Sequence, residues 1–329
     1  QSGTIKELQI DSLVDNIIHS NSPINGALIY NGNGTIEGEL KIGQIERNII
    51  TATGFNGLIT NSSGNINSIS IDSVSDNDIT MNTMLGGVIK LLGANVKDIT
   101  IGKINNNEII GNENSSAIGF ILYSIESPIS SNIENLNVGQ IHENSVTATN
   151  ITSLLFRSAL EHANVISKNG NITVDDIRDN SLVAVDCDDN ARGGIIYNFL
   201  YGGLKTKNTI VSIGDINLEN VSNNHLESTI TPTSFDSSKS LNGRHASGAI
   251  IANSIQSCQG SAIIKSIDGK YVGNSVVSNS EIMGASGGVI SNSVNGLGDA
   301  FVGIGYTLDE NNKIISIEDA ILGTYEKNY

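Results

Sequence analysis

The chain has no tryptophan, two cysteines, three prolines and only 4% aromatic residues among 329. Cys187 and Cys258 are too few for a disulfide framework, and neither has a second Cys or His at metal-ligand spacing. They stand either as one bridge, if folding brings them together, or as two separate thiols. Basic residues are scarce, 18 Lys and Arg against 34 Asp and Glu, so the net charge is −16. That balance repels phosphate backbones and argues against a nucleic-acid partner. No apolar run reaches the length needed to span a bilayer, which argues against membrane insertion by this segment. Charged residues are nevertheless only 16% of the chain, too few for a disordered acidic tail. No basic and apolar signal stretch precedes Gln1, so the chain reads as a mature or trimmed segment.

What is abundant is isoleucine, 51 residues, with 43 asparagines and 35 glycines. Ile favours strands, while Asn and Gly favour tight turns, so short strands should alternate with corners. The order is periodic. An apolar-x-apolar-(Gly/Asp)-x-apolar-x-x-Asn-x-apolar box begins at Leu8, Leu40, Ile69, Ile99, Leu136 and Ile172, and again at Ile216 with Glu219 in the Gly/Asp slot. Its asparagines are Asn16, Asn48, Asn77, Asn107, Asn144, Asn180 and Asn224; Asn274 and the 315–323 stretch look like degenerate eighth and ninth copies. A second box, Gly then an apolar run, follows most of these asparagines, as at Gly26, Gly57, Gly87, Gly119, Gly194, Gly248 and Gly288. Leu154-Leu155 fills the slot once without Gly.

A unit of about 30 residues with two or three such strands cannot bury its apolar face alone, so successive units must stack. Because parallel crossovers are right-handed, the expected fold is all-β, a right-handed parallel β-helix of eight or nine coils forming one domain over 1–329. The asparagines should form a ladder, each amide donating to one neighbour and accepting from the other, and each Asn should adopt the left-handed backbone of the corner. Ile45, Val74 and Ile104 should point inward.

The boxes resemble the GGAI and FxxN repeats of the polymorphic outer-membrane protein family, whose autotransporter-type passengers are secreted β-helices. Gly193-Gly194-Ile195-Ile196, Ser247-Gly248-Ala249-Ile250 and Gly287-Gly288-Val289-Ile290 carry the first. Ile45-Glu46-Arg47-Asn48, Ile104-Asn105-Asn106-Asn107 and Ile141-His142-Glu143-Asn144 carry the second, with Ile in place of Phe. The resemblance implies adhesion or surface display, with an extracellular or cell-surface location.

Site candidates lie in insertions between boxes. The 199–209 insertion offers Phe199, Tyr201, Lys205 and Lys207 as a partner-binding loop for a protein or glycan; the 226–247 insertion is Ser/Thr-rich. Asp186, Asp188 and Asp189 form an acidic cluster that reads either as hard-oxygen ligands for Ca²⁺ or as an exposed turn, and no other cofactor is indicated. The Asp175-Asp176 and Asp188-Asp189 pairs, with Arg178 and Arg192 nearby, leave a glycan-active β-helix enzyme as the alternative. Asp175, however, shares its repeat slot with Gly43 and Gly102 and reads as a corner residue. His19, His142, His162, His225 and His245 are scattered and read as solvated side chains. Open solenoid ends would also admit sister subunits. The expectation is therefore a non-enzymatic protein of adhesion, display or scaffold assembly.

Overall fold

The computed structural model describes residues 3–24, 26, 28–62, 64–83, 86–92, 96–112, 118–125, 132–149, 151–163, 167–186, 192–202, 209–230, 246–257, 260–280, 285–296, 301–304, 306–308, 314–317 and 324–326. The fold is a right-handed parallel β-helix. Each coil contributes one strand to each of three parallel sheets. Sheet 1 begins with Thr4–Ile5 and Leu8–Val14 and continues through Thr35–Glu46, Asn65–Ser75, Val96–Asn105, Asn132–His142, Ser167–Arg178, Thr209–Ser222 and Gly260–Val272. Sheet 2 runs from Ile17–Ile24 and Ile49–Phe55 to His225–Ile230 and Ser275–Ser280. Sheet 3 runs from Ile29–Asn31 and Ile59–Ser62 to Ala246–Ser257 and Ala285–Gly296. Coils are numbered by their sheet 1 strand, so Ser167–Arg178 belongs to coil 6.

The core is a set of stacked apolar columns. In-register pairing puts Ile45 over Val74, then Ile104, Ile141 and Ile177, and every one of them is buried. Parallel strands spaced about 4.8 Å apart make such like-on-like contacts continuous, and burying each Ile contributes roughly 1.5–3 kcal/mol. Sheet 3 stacks Ile59, Ile89, Ile121, Phe156 and Ile196 in the same way.

Several expectations need correction. At every corner between sheets 1 and 2 the left-handed residue is the one before the asparagine, not the asparagine: Asp15, Arg47, Asp76, Asn106, Glu143, Asp179, Asn223 and Gly273 all have φ between 53° and 67°. The reason is that the Asn must aim its side chain into the stack, so the sharp turn falls on its outward neighbour. Five of the seven non-glycine residues there are Asp or Asn, the types that tolerate this conformation best. The Gly43, Gly102 and Asp175 slot lies inside sheet 1 strands rather than at a corner.

In sheet 3, Gly248 pairs with Gly193 and Ala249 with Gly194, so the box there is Gly248-Ala249-Ile250-Ile251, one residue later than the sequence pattern suggests. Where Leu154 replaces the glycine, a register shift between Ser153 and Phe156 absorbs the extra residue as a bulge. The ninth copy also moves. Ile314–Ile317 pairs antiparallel with Tyr306–Leu308, and Thr324–Glu326 takes the place beside Lys270–Val272 in sheet 1.

Candidate functional site

The asparagine corner is the frame on which everything else is hung. Asn48 donates from its backbone N–H (3.1 Å) and from Nδ2 (2.8 Å) to Asn77 Oδ1, while its Nδ2 also reaches back to the Leu13 carbonyl at 2.9 Å. The same arrangement recurs from Asn77 to Asn107, Asn144, Asn180, Asn224 and Asn274. Asn48, Asn77, Asn107, Asn144, Asn180, Asn224 and Asn274 are all buried. Asn16 starts the ladder, half-buried, donating to Asn48 Oδ1 at 2.7 Å. The ladder has a direction, and among the described residues Asn16 Oδ1 accepts no bond.

A second asparagine column went unread in the sequence. Asn31 Nδ2 donates to Asn61 Oδ1 at 2.7 Å where sheet 3 turns back to sheet 1, and each closes its own turn onto the carbonyl three residues on. Leu91, Tyr123 and Ser158 take this register position in the middle coils, and Asn198, Asn253 and Asn292 take it again in the later ones.

Just before the corner, two outward columns of sheet 1 carry a cluster of polar side chains. Two residues before each Asn stand His142, Arg178, Ser222 and Val272 on coils 5 to 8. Four residues before it stand Gln140, Asp176, Asn220 and Lys270. Only one buried residue separates the two columns, because strand alternation sends the intervening Ile141, Ile177, Val221 and Tyr271 inward.

His142 is not a solvated side chain, as the sequence suggested, but is only 8% exposed. The next coil covers it. Its Nε2 lies 2.9 Å from Asp176 Oδ2 and 3.3 Å from Arg178 Nε. Arg178 runs alongside the imidazole, with Nη2 at 3.5 Å from Nδ1 and Nε at 3.5 Å from Asp176 Oδ2. Asp176, Arg178, Asn220, Ser222, Lys270 and Val272 line a surface depression of about 380 Å³. Lys270 is exposed and, among the described residues, has no hydrogen-bond or ion-pair partner. This cluster was legible only by writing the copies in register under their asparagines, since its neighbours on successive coils lie 34 to 50 residues apart.

On the corner itself, Arg47 donates to Asp15 through Nε at 2.8 Å and Nη2 at 3.0 Å. The Arg47 hydrogen bonds hold the Asp15 carboxyl below its ordinary value, and Asp15 in turn raises Arg47.

The other candidates fall differently. Phe199 and Tyr201 lie within the sheet 3 strand Arg192–Gly202, so the 199–209 insertion is shorter than expected, and Lys205 and Lys207 lie outside the described residues. Leu226 is buried in sheet 2, because the apolar residue two after the corner Asn always enters the stack, so the second insertion starts after Ile230. Asp186 ends the strand Ser181–Asp186, while Cys187, Asp188, Asp189 and Cys258 lie outside the described residues. Among the described residues, no group of three or more His, Cys, Asp or Glu is placed to hold a metal ion, and no helix is long and apolar enough to cross a membrane.

Comparisons with protein-family models, with curated proteins and with solved structures find no match to this chain.

Proposed function

We propose that the chain is a non-enzymatic β-solenoid, secreted or displayed on a cell surface, that acts in adhesion or in assembly of a scaffold. The observation that carries this is the asymmetry of its turns. The sheet 1 to sheet 2 corner keeps two residues in every coil, as in Arg47-Asn48 and Asp179-Asn180, and is locked by the ladder. The other two turns vary freely, and the steps between successive ladder asparagines range from 29 to 50 residues. A wall held rigid along one edge while loops of differing length leave the other two is how a binding surface changes without disturbing its support. The resemblance of the boxes to autotransporter passengers points the same way.

In the first coil Ile5, Ile17 and Tyr30 are 49%, 66% and 55% exposed, and Ile5, Leu8, Ile29, Leu40 and Ile59 line an apolar depression of about 210 Å³. Such a face accepts a further coil, whether from a preceding segment or from another copy. The test is removal of 231–245, the stretch between His225–Ile230 and Ala246–Ser257. Purified protein without it should keep its melting temperature and lose attachment to cells or immobilised glycans. Full attachment after the deletion, with no change in sedimentation on dilution, would refute the reading.

The cluster at His142, Asp176 and Arg178 favours a second reading, a glycan-active enzyme. Release of reducing ends from a polysaccharide, abolished by Asp176→Asn, would establish it.

A further inference from the structure

We propose that the outer wall of sheet 1 over coils 6 to 8 binds the carboxylate of an acidic saccharide, between Arg178 and Lys270, with Asn220 and Ser222 as the floor. The inference goes beyond the adhesion reading by naming a ligand class and a second place, on the wall rather than in the loops.

The argument is one of charge placement. The depression has a cation on each side, Arg178 on coil 6 and Lys270 on coil 8, and a coil with an amide and a hydroxyl between them. At about 4.8 Å per coil, the two flanking levels stand about 10 Å apart, a gap that two long side chains close around one anionic group. Asp176 would spoil such a site if its carboxylate faced coil 7. It lines the depression, but its Oδ2 is already engaged, 2.9 Å from His142 Nε2 on coil 5 and 3.5 Å from Arg178 Nε on its own coil, and His142 is itself held by burial. Arg178 is set beside the same imidazole and keeps 52% of its side chain exposed, so it is positioned and still available. Lys270 has no partner among the described residues to give up.

The surroundings select the ligand further. Asp175 and Asp179 lie exposed on coil 6 and Glu219 on coil 7, and the whole chain carries −16. A densely charged polyanion is therefore repelled, while a ligand with a single carboxylate among neutral hydroxyls meets the two cations without that cost. Asn220 and Ser222 supply donors and acceptors of the kind vicinal hydroxyls require. The columns run along the solenoid axis, so a short saccharide can lie lengthwise over coils 6 to 8, on Asn220 and Ser222. The strand Thr324–Glu326 borders the site at its far end.

The experiment uses the full chain and two soluble probes, a tetrasaccharide of three neutral hexoses and one galacturonic acid and the methyl ester of the same molecule, in isothermal titration at low and at physiological ionic strength. The acid should bind about tenfold more tightly than the ester, with the difference shrinking as salt rises. Lys270→Glu, a change at an exposed position, should weaken the acid about tenfold and leave the ester and the melting temperature unchanged. Arg178→Ala should weaken it similarly, with partial recovery in Arg178→Lys. Equal affinity for acid and ester, unchanged acid binding in Lys270→Glu, or no binding of the acid overturns the site. Loss of cell attachment on deleting 231–245 without any binding of the acid would overturn this inference alone. Binding of the acid by a chain that attaches to nothing would overturn the adhesion reading alone.

Discussion

Replacing Asn77 by Ala tests the ladder most sharply. Asn77 Oδ1 accepts from the Asn48 backbone N–H at 3.1 Å and from Asn48 Nδ2 at 2.8 Å, and its Nδ2 donates to Asn107 Oδ1 at 2.7 Å and to the Ile45 carbonyl at 2.9 Å. The substitution removes all four. Asn107 Oδ1 keeps the Asn77 backbone donor, and Asn48 Nδ2 keeps the Leu13 carbonyl. What is left orphaned inside the stack is the Asn48 backbone N–H, one proton of its amide, and the Ile45 carbonyl. A buried polar group left unpaired costs about 1–3 kcal/mol, so the loss should be about 3–6 kcal/mol, towards the low end if a water enters the vacated space. Asn16→Ala removes only the donation from Nδ2 to Asn48 Oδ1, at the half-buried start of the column, and should cost about 1 kcal/mol. The measurement is urea unfolding of both variants, paired with amide exchange at Asn48 and Asp78, whose N–H groups bond across adjacent coils at this corner. Because a solenoid opens coil by coil, exchange should accelerate around coils 2 and 3 before the rest. Equal cost for the two substitutions, or less than about 0.5 kcal/mol for Asn77→Ala, would show that the amides are decoration on a stack held by its apolar columns.

Other consequences are as direct. Ile104→Ala, at a fully buried position between Val74 and Ile141, should destabilise by about 2–5 kcal/mol in the same unfolding assay. Glu143→Gly should stabilise, by up to about 1 kcal/mol, because a side chain at φ 58° is strained where glycine is not; a lower denaturation midpoint would contradict this. The Asp15–Arg47 pair gives a pH signature. The folded carboxyl titrates below its unfolded value, so the pair's stabilisation is present above the ordinary aspartate range and is lost as pH falls through the depressed value. The difference in melting temperature between wild type and Arg47→Ala should therefore vanish in acid, and a difference that persisted there would argue against the ion pair as its source.

The sequence by itself determined the architecture. A box that repeats Ile at alternate positions and ends on Asn leaves one way to bury its apolar face, which is to stack on its own copies, and so the columns through Ile45 and the corner asparagines could be read from spacing. It also located the insertions, though with wrong edges. Phe199 and Leu226 belong to strands because register with neighbouring coils, which no single copy contains, extends pairing beyond the box. The left-handed residue could not be assigned from composition, since Asn tolerates that backbone and yet stands one place after it. Only the stack shows that the amide is needed inside, forcing the turn onto Asp76 or Glu143.

The polar cluster was decided by tertiary structure alone. His142, Asp176, Asn220 and Lys270 are unremarkable in their own copies, and each lies on the outer face of a strand that pattern analysis treats as interchangeable. They meet because coils of 36, 44 and 50 residues close onto the same corner, bringing residues far apart in sequence to one coil spacing in space. Periodicity encodes which side chains face inward, where every coil must agree. The outward face is under no such demand, so its chemistry becomes a site only when the stacking register sets one copy beside the next.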